Sequence, residues 1–199
     1  MNRRTIPLAL AGAALLPVLA PGLAQAQGNS PSANVPPENL AAAPPERLAR
    51  MLFEAGSFSH ATARIGGEKA TNPEVKRFAQ FEVQEQEGVA QAMKLAGHDF
   101  PMASLGNERG KMIEALNAAS GAEFERMFLE VQERGHQELL SLTSAIMEGR
   151  GPVPDKIMAT LSNNSIKEHL ILIGTLRGQT VQTTQGGGNP PSAVPPPAR

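Results

Sequence analysis

Residues 72–93 read NPEVKRFAQFEVQEQEGVAQAM, and this stretch decides the fold. Val75, Phe78, Ala79, Val89, Ala90 and Met93 recur at helical spacing, so at roughly 100° per residue they form one apolar stripe. Asn72 is placed to cap the helix and Pro73 to occupy its first position, where a missing N–H costs nothing. Glu82 and Gln86 interrupt the stripe, pointing the same way as Val75 and Met93. A packing helix ordinarily carries Leu or Ile there, and a polar group facing a core costs free energy unless it is paired or ligates something. The stretch therefore predicts a helix that packs in a bundle and holds either a small polar site or the remains of one.

Working outward, the same periodicity continues on both sides. A first helix is expected from Pro45-Glu46, with Leu48, Met51, Leu52, Ala55, Phe58, Thr62 and Ile65 on one face, its last turn weakened by Gly66-Gly67. The second helix ends near Gly97, and His98-Asp99-Phe100-Pro101 turns the chain, leaving His98 in an exposed loop. A shorter helix is expected over about 108–118. Ser120-Gly121-Ala122-Glu123 has the form of a capping box opening a long helix that carries Phe124, Met127, Phe128, Val131, Leu139, Leu142 and Ile146. Gly149-Arg150-Gly151-Pro152 stops it. A final region starts at Pro154-Asp155, is expected to break at Ser162-Asn163-Asn164, and restarts at a second capping box, Ser165-Ile166-Lys167-Glu168. No β-rich run competes. Four long helices with short links and one short extra helix predict an all-α, antiparallel four-helix bundle over 45–177.

The ends read differently. Residues 1–26 combine Arg3-Arg4, an apolar run from Ile6 and a closing Ala24-Gln25-Ala26, the pattern of a secretory signal peptide cut after Ala26. A membrane anchor is the rival reading, but Pro7, Pro17 and Pro21 interrupt the run. Arg3-Arg4 is also compatible with twin-arginine export. Residues 27–44 and 178–199, rich in Pro, Gly, Asn and Ser, are expected to be disordered tethers. The mature protein is expected in the periplasm or otherwise exported, with no transmembrane segment and with association to the cell envelope as one option. There is no cysteine, which excludes disulfides and thiolate metal sites. Without Arg3 and Arg4, 16 basic residues stand against 19 acidic ones, a net charge of −3. So mixed a charge offers no footprint for nucleic acid.

The chemistry rests on Glu and His. Carboxylate-bridged metal pairs in helical bundles draw Glu from two helices and Glu-x-x-His from two others. Glu133-Arg134-Gly135-His136 has that spacing once, with His136 beside the apolar face and Glu133 turned about 60° toward solvent. His169 lies on the apolar face of the last helix near Ile166, Ile173 and Leu176. His60, on the first helix, could join them. Glu82, Glu85, His136 and His169 are thus the candidate metal ligands, too few for a metal pair and enough for a single transition metal. The bland alternative is a set of core histidines satisfied by hydrogen bonds. No nucleophile triad or phosphate-cradling glycine loop appears.

From about Leu52 to Leu176 the chain resembles an exported, ferritin-like bacterial family catalogued as a domain of unknown function, number four-one-four-two. Its members are labelled outer-membrane or periplasmic proteins. The resemblance is carried by Ala70-Thr71-Asn72-Pro73-Glu74-Val75-Lys76-Arg77-Phe78-Ala79, the Ser120-Gly121-Ala122-Glu123-Phe124 start, His136, and Glu168-His169-Leu170. It implies a ferritin-like bundle. The family pattern has Asp-His where this chain has Glu85-Gln86, Asp-His again at Gly135-His136, a Glu near Ser59, and a proline at Ser162. The resemblance thus implies that a polar centre has been partly lost. Two functional readings follow. The first is a non-enzymatic structural, binding or stress-related module of the cell envelope without a cofactor; the second is a metal-binding or metal-oxidising bundle using an atypical Glu/His site.

Overall fold

The computed structural model describes residues 40–101 and 104–185, with side chains through Gln179. Among these residues there are five helices and no strand: α1 (Pro45–Lys69), α2 (Pro73–Leu95), α3 (Gly106–Ala118), α4 (Gly121–Glu148) and α5 (Val153–Gln185). The expected signal peptide and residues 27–39 lie outside the described residues, as do residues 186–199.

Local chemistry sets the start of α2. Asn72 Oδ1 accepts from the Glu74 and Val75 amides at 2.9 and 3.4 Å, and Pro73 follows as the first helical residue. The amides just before that helix are held from another element. Glu125 of α4, itself buried, accepts from Thr71 N, Thr71 Oγ1 and Asn72 N at 2.9, 2.8 and 2.6 Å. The expected capping box at Ser120 is not formed: its side chain caps nothing, and α4 begins with Gly121 at a φ of 58°.

Contacts set the chain directions. Ser59 meets Gln132 and Thr71 meets Glu125, so α1 runs antiparallel to α4. Asn163 meets Thr143 while His169 meets His136, so α5 is antiparallel to α4 as well. Three residues turn α1 into α2, whereas α2 reaches α4 through a longer connection containing α3. Arg109 pins α3 in place, with two 2.9 Å bonds to Glu138 and one of 3.1 Å to the Glu54 carbonyl.

Two expectations about the last helix need correction. α5 does not break at Ser162-Asn163-Asn164, and Ser165 starts nothing. Asn163 is buried and its Nδ2 donates to Thr143 Oγ1 and Ser144 Oγ at 3.0 and 3.1 Å. Its amide is thus occupied across the helix pair and does not compete for its own backbone. α5 also continues to Gln185, past Gly178 where the tail was expected to begin.

The core is in two parts. One cluster gathers Leu48, Leu52, Met93, Leu142, Ile146 and Ile166; the other gathers Val75, Phe78, Phe124, Phe128, Ile173 and Leu176. Between them lies a buried polar layer: Ser59, Glu82, Gln86, Gln132 and His136. No helix among the described residues is long and apolar enough to cross a membrane.

Candidate functional site

Glu82 is where the polar layer converges. It sits two turns beyond Val75 on the inward stripe of α2, and no part of it is exposed. Its Oε1 accepts from Ser59 Oγ of α1 at 2.7 Å and from Gln86 Nε2, one turn further along α2, at 2.9 Å. Its Oε2 lies 3.2 Å from His136 Nε2 of α4 and 3.1 Å from His169 Nδ1 of α5. Those two ring nitrogens are 3.2 Å apart. Each of the four long helices therefore places a side chain on this carboxylate or beside it.

The outer nitrogens decide what the inner ones offer. His136 Nδ1 is 2.8 Å from the Gln132 carbonyl, which can only accept, so Nδ1 carries the hydrogen and Nε2 turns toward Glu82. His169 Nε2 is 3.3 Å from Glu85 Oε2, the corresponding arrangement with a carboxylate as acceptor. Behind His136, Gln132 is locked by donating from Nε2 to Thr62 Oγ1 at 2.8 Å. Phe78 covers the pair, its ring centroid 6.0 Å from that of His136 and 5.6 Å from that of His169, the latter edge-on.

The electrostatics follow from this packing. Burial pushes the Glu82 carboxyl up, but hydrogen bonds from His136, His169 and Ser59 and the field of His136 outweigh it. The carboxyl is held well below the usual carboxylate range. Burial pushes His169 down. The hydrogen bond to Glu82 and the charges of Glu85, Glu82 and Glu168 together prevail, and its pKa is raised. Without a bound cation the two rings and the carboxylate must share a proton, because three lone pairs cannot face one another at these distances uncompensated.

That triangle also suits a metal ion. Glu82, His136 and His169 each offer one ligand atom to a common point. Nitrogen and oxygen ligands about 2.0–2.1 Å from an ion stand roughly 3.0 Å apart at adjacent octahedral corners and about 3.4 Å apart at tetrahedral ones. The edges here, 3.1 to 3.2 Å, fall between the two. Two imidazoles and one carboxylate suit zinc, iron or manganese. Each ring passes its other N–H to a fixed acceptor, the outer arrangement that metal-ligating histidines use.

Of the four ligands expected from sequence, three meet. Glu85 is on the far side of the His169 ring, where it orients the imidazole. His60 stays outside, paired with Glu87 at 3.3 Å. Glu133 is also outside, paired with Arg177. His98 is not the exposed loop histidine that was expected. It stacks on Phe100 with centroids 5.5 Å apart and bridges Asp155 at 2.9 Å and Glu46 at 3.4 Å. The loop thus folds back over the starts of α1 and α5. Sequence reading undervalued Ser59 and Gln132. Gln132 stands one turn before His136 on the same stripe, the signal that could have flagged it.

No curated protein and no solved structure matches the chain. A family model does, over residues 30–170, more than two thirds of the sequence. The chain belongs to the family described as Domain of unknown function (DUF4142).

Proposed function

We propose that this chain is an exported, ferritin-like bundle that binds one divalent transition-metal ion between Glu82, His136 and His169. One observation carries the reading: three ligand atoms, from the buried Glu82 and His136 and the half-buried His169, stand 3.1–3.2 Å apart, with both imidazoles oriented from outside. An interior that needed only to be filled would carry apolar side chains at these stripe positions. The single longer connection through α3 supports the ferritin-like description. Export is supported by the N-terminal pattern Arg3-Arg4, Ile6 to Ala24 and Ala24-Gln25-Ala26. Bound metal would be held by these three side chains and would supply Lewis acidity to whatever occupies its remaining positions.

The test is metal loading with ferrous iron, manganese and zinc, followed by measurement of bound metal. One equivalent per chain is expected in the wild type and none in His136→Ala/His169→Ala. A second reading, the non-enzymatic module, has its own support. No buried side-chain nitrogen or oxygen among the described residues lacks a partner, so the network can close on itself. Absence of stoichiometric binding, with an equal or higher melting temperature in Glu82→Leu/Gln86→Leu, would favour that module over the metal site.

A further inference from the structure

A second feature lies on the other side of Gln86. Between α1 and α2 the structure holds a cavity of about 720 Å³, open on one side. Leu52, Phe53, Val89, Met93 and Phe100 make its wall apolar, and Phe53 and Phe100 pack as a tilted pair at 5.6 Å. This volume is within the range of about 300–1,000 Å³ typical of small-molecule sites.

Two uncharged polar side chains break the wall: Ser57, whose hydroxyl donates to the Phe53 carbonyl at 2.7 Å, and Gln86. Gln86 is 8 % exposed. Its amide has only one orientation compatible with its neighbour: Glu82 can only accept, so the NH₂ end faces Glu82 and the carbonyl Oε1 faces away. Among the described residues Oε1 accepts no hydrogen bond, whereas Nε2 is used. Gly56 lines the same cavity, and a Cβ there would lie 2.6 Å from Oε1. The missing side chain at 56 is what leaves this acceptor open to the cavity. No fully buried side-chain oxygen among the described residues lacks a partner, so Oε1 keeps accessible surface, and Gln86 lines the cavity, where a donor of an occupant can reach it.

The rim sets the charge. His60 and Glu87 pair across it at 3.3 Å, and Arg64 and Glu68 add one charge of each sign. Such a rim favours neither an anion nor a cation.

We infer that the cavity between α1 and α2 is a binding site for a small, neutral, largely apolar molecule bearing an O–H or N–H donor that bonds to Gln86 Oε1. The site does not depend on the metal reading, because neither Oε1 nor the cavity wall belongs to the Glu82, His136 and His169 triangle.

The experiment uses the purified full chain and two probes of matched shape, 2-naphthol and 2-methylnaphthalene. The chain has no Trp or Tyr, so naphthalene emission is read against a dark background. Saturable binding of both is expected, with 2-naphthol tighter by roughly 3- to 10-fold, the scale of one net hydrogen bond. Gln86→Leu should remove that preference, and Ala61→Phe, which fills the cavity, should weaken both probes. Circular dichroism checks that each variant folds. If Gln86→Leu does not, the wild-type ratio and Ala61→Phe decide alone. The proposal is overturned if neither probe saturates, if the two bind equally well, if the preference survives in a folded Gln86→Leu, or if Ala61→Phe changes neither affinity.

Discussion

Glu82 is a carboxylate without exposed surface whose ionised form is nevertheless favoured, and its stability consequence can be read by sign. Its carboxyl is held below the ordinary 4.5, so its contribution is complete above that pH and lost as pH falls toward the folded value. His169 is raised above 6.5, so its contribution is complete below that pH and lost as pH rises through the folded value. With metal removed by a chelator, urea unfolding should show maximal stability between about pH 4.5 and 6.5. Glu82→Gln should flatten the acid side of that profile; an unchanged acid limb in the variant would contradict this account. Gly135 gives a simpler prediction. It stands within α4, and a Cβ there meets nothing within 4 Å. Gly135→Ala should therefore stabilise by about 0.5–1 kcal/mol, read as a higher urea midpoint. At this scale Glu82, His136 and His169 were legible because each interrupts an apolar stripe. Glu85, Ser59 and Gln132 could not be given their parts, because an orienting role depends on which neighbour a side chain meets.

Helix ends show how local signals compete with tertiary ones. Asn72 caps α2 as its sequence says, since its side-chain oxygen reaches amides two and three residues on. Ser120 does not cap α4 although its motif is equally good, whereas Glu125 crosses from α4 to secure the start of α2. Glu125→Ala leaves those amides without their acceptor and should cost about 2 kcal/mol in chemical unfolding. Gly66 illustrates the same point within α1. Read locally it weakens a last turn, but in the bundle a Cβ there would lie 2.6 Å from the Phe128 ring and 2.9 Å from Ala79 Cβ. Gly66→Ala should consequently destabilise by about 1–3 kcal/mol despite its better helix propensity; a gain in melting temperature would show that the three helices can separate there at no cost. α5 ran unbroken through Ser162-Asn163-Asn164 for the converse reason, since Asn163 found partners on α4 that no local pattern could reveal.

For the whole molecule, the decisive feature is that a polar layer divides the core into two apolar clusters. A metal held by Glu82, His136 and His169 would tie α2, α4 and α5 together, with α1 joined through the Ser59 hydrogen bond to Glu82. By mass action, zinc at about 100 times its dissociation constant should add roughly 2.7 kcal/mol. For a bundle of this size that is a rise in melting temperature on the order of 10 °C. The rise should be absent in His136→Ala/His169→Ala, and its persistence there would place the metal elsewhere. The sequence alone determined that the described residues are helical, where most helices begin and end, and that Glu82, Gln86, His136 and His169 lie on apolar stripes. Those properties follow from a repeat of 3.6 residues and from capping groups a few residues away. The tertiary structure alone decided that Glu82, His136 and His169 meet at 3.1–3.2 Å, that Glu85 stands behind His169, and that Gln86 opens onto a cavity. Periodicity sets the direction in which a side chain leaves its own helix, but the partner it meets depends on the axial register between helices distant in sequence, which only packing determines.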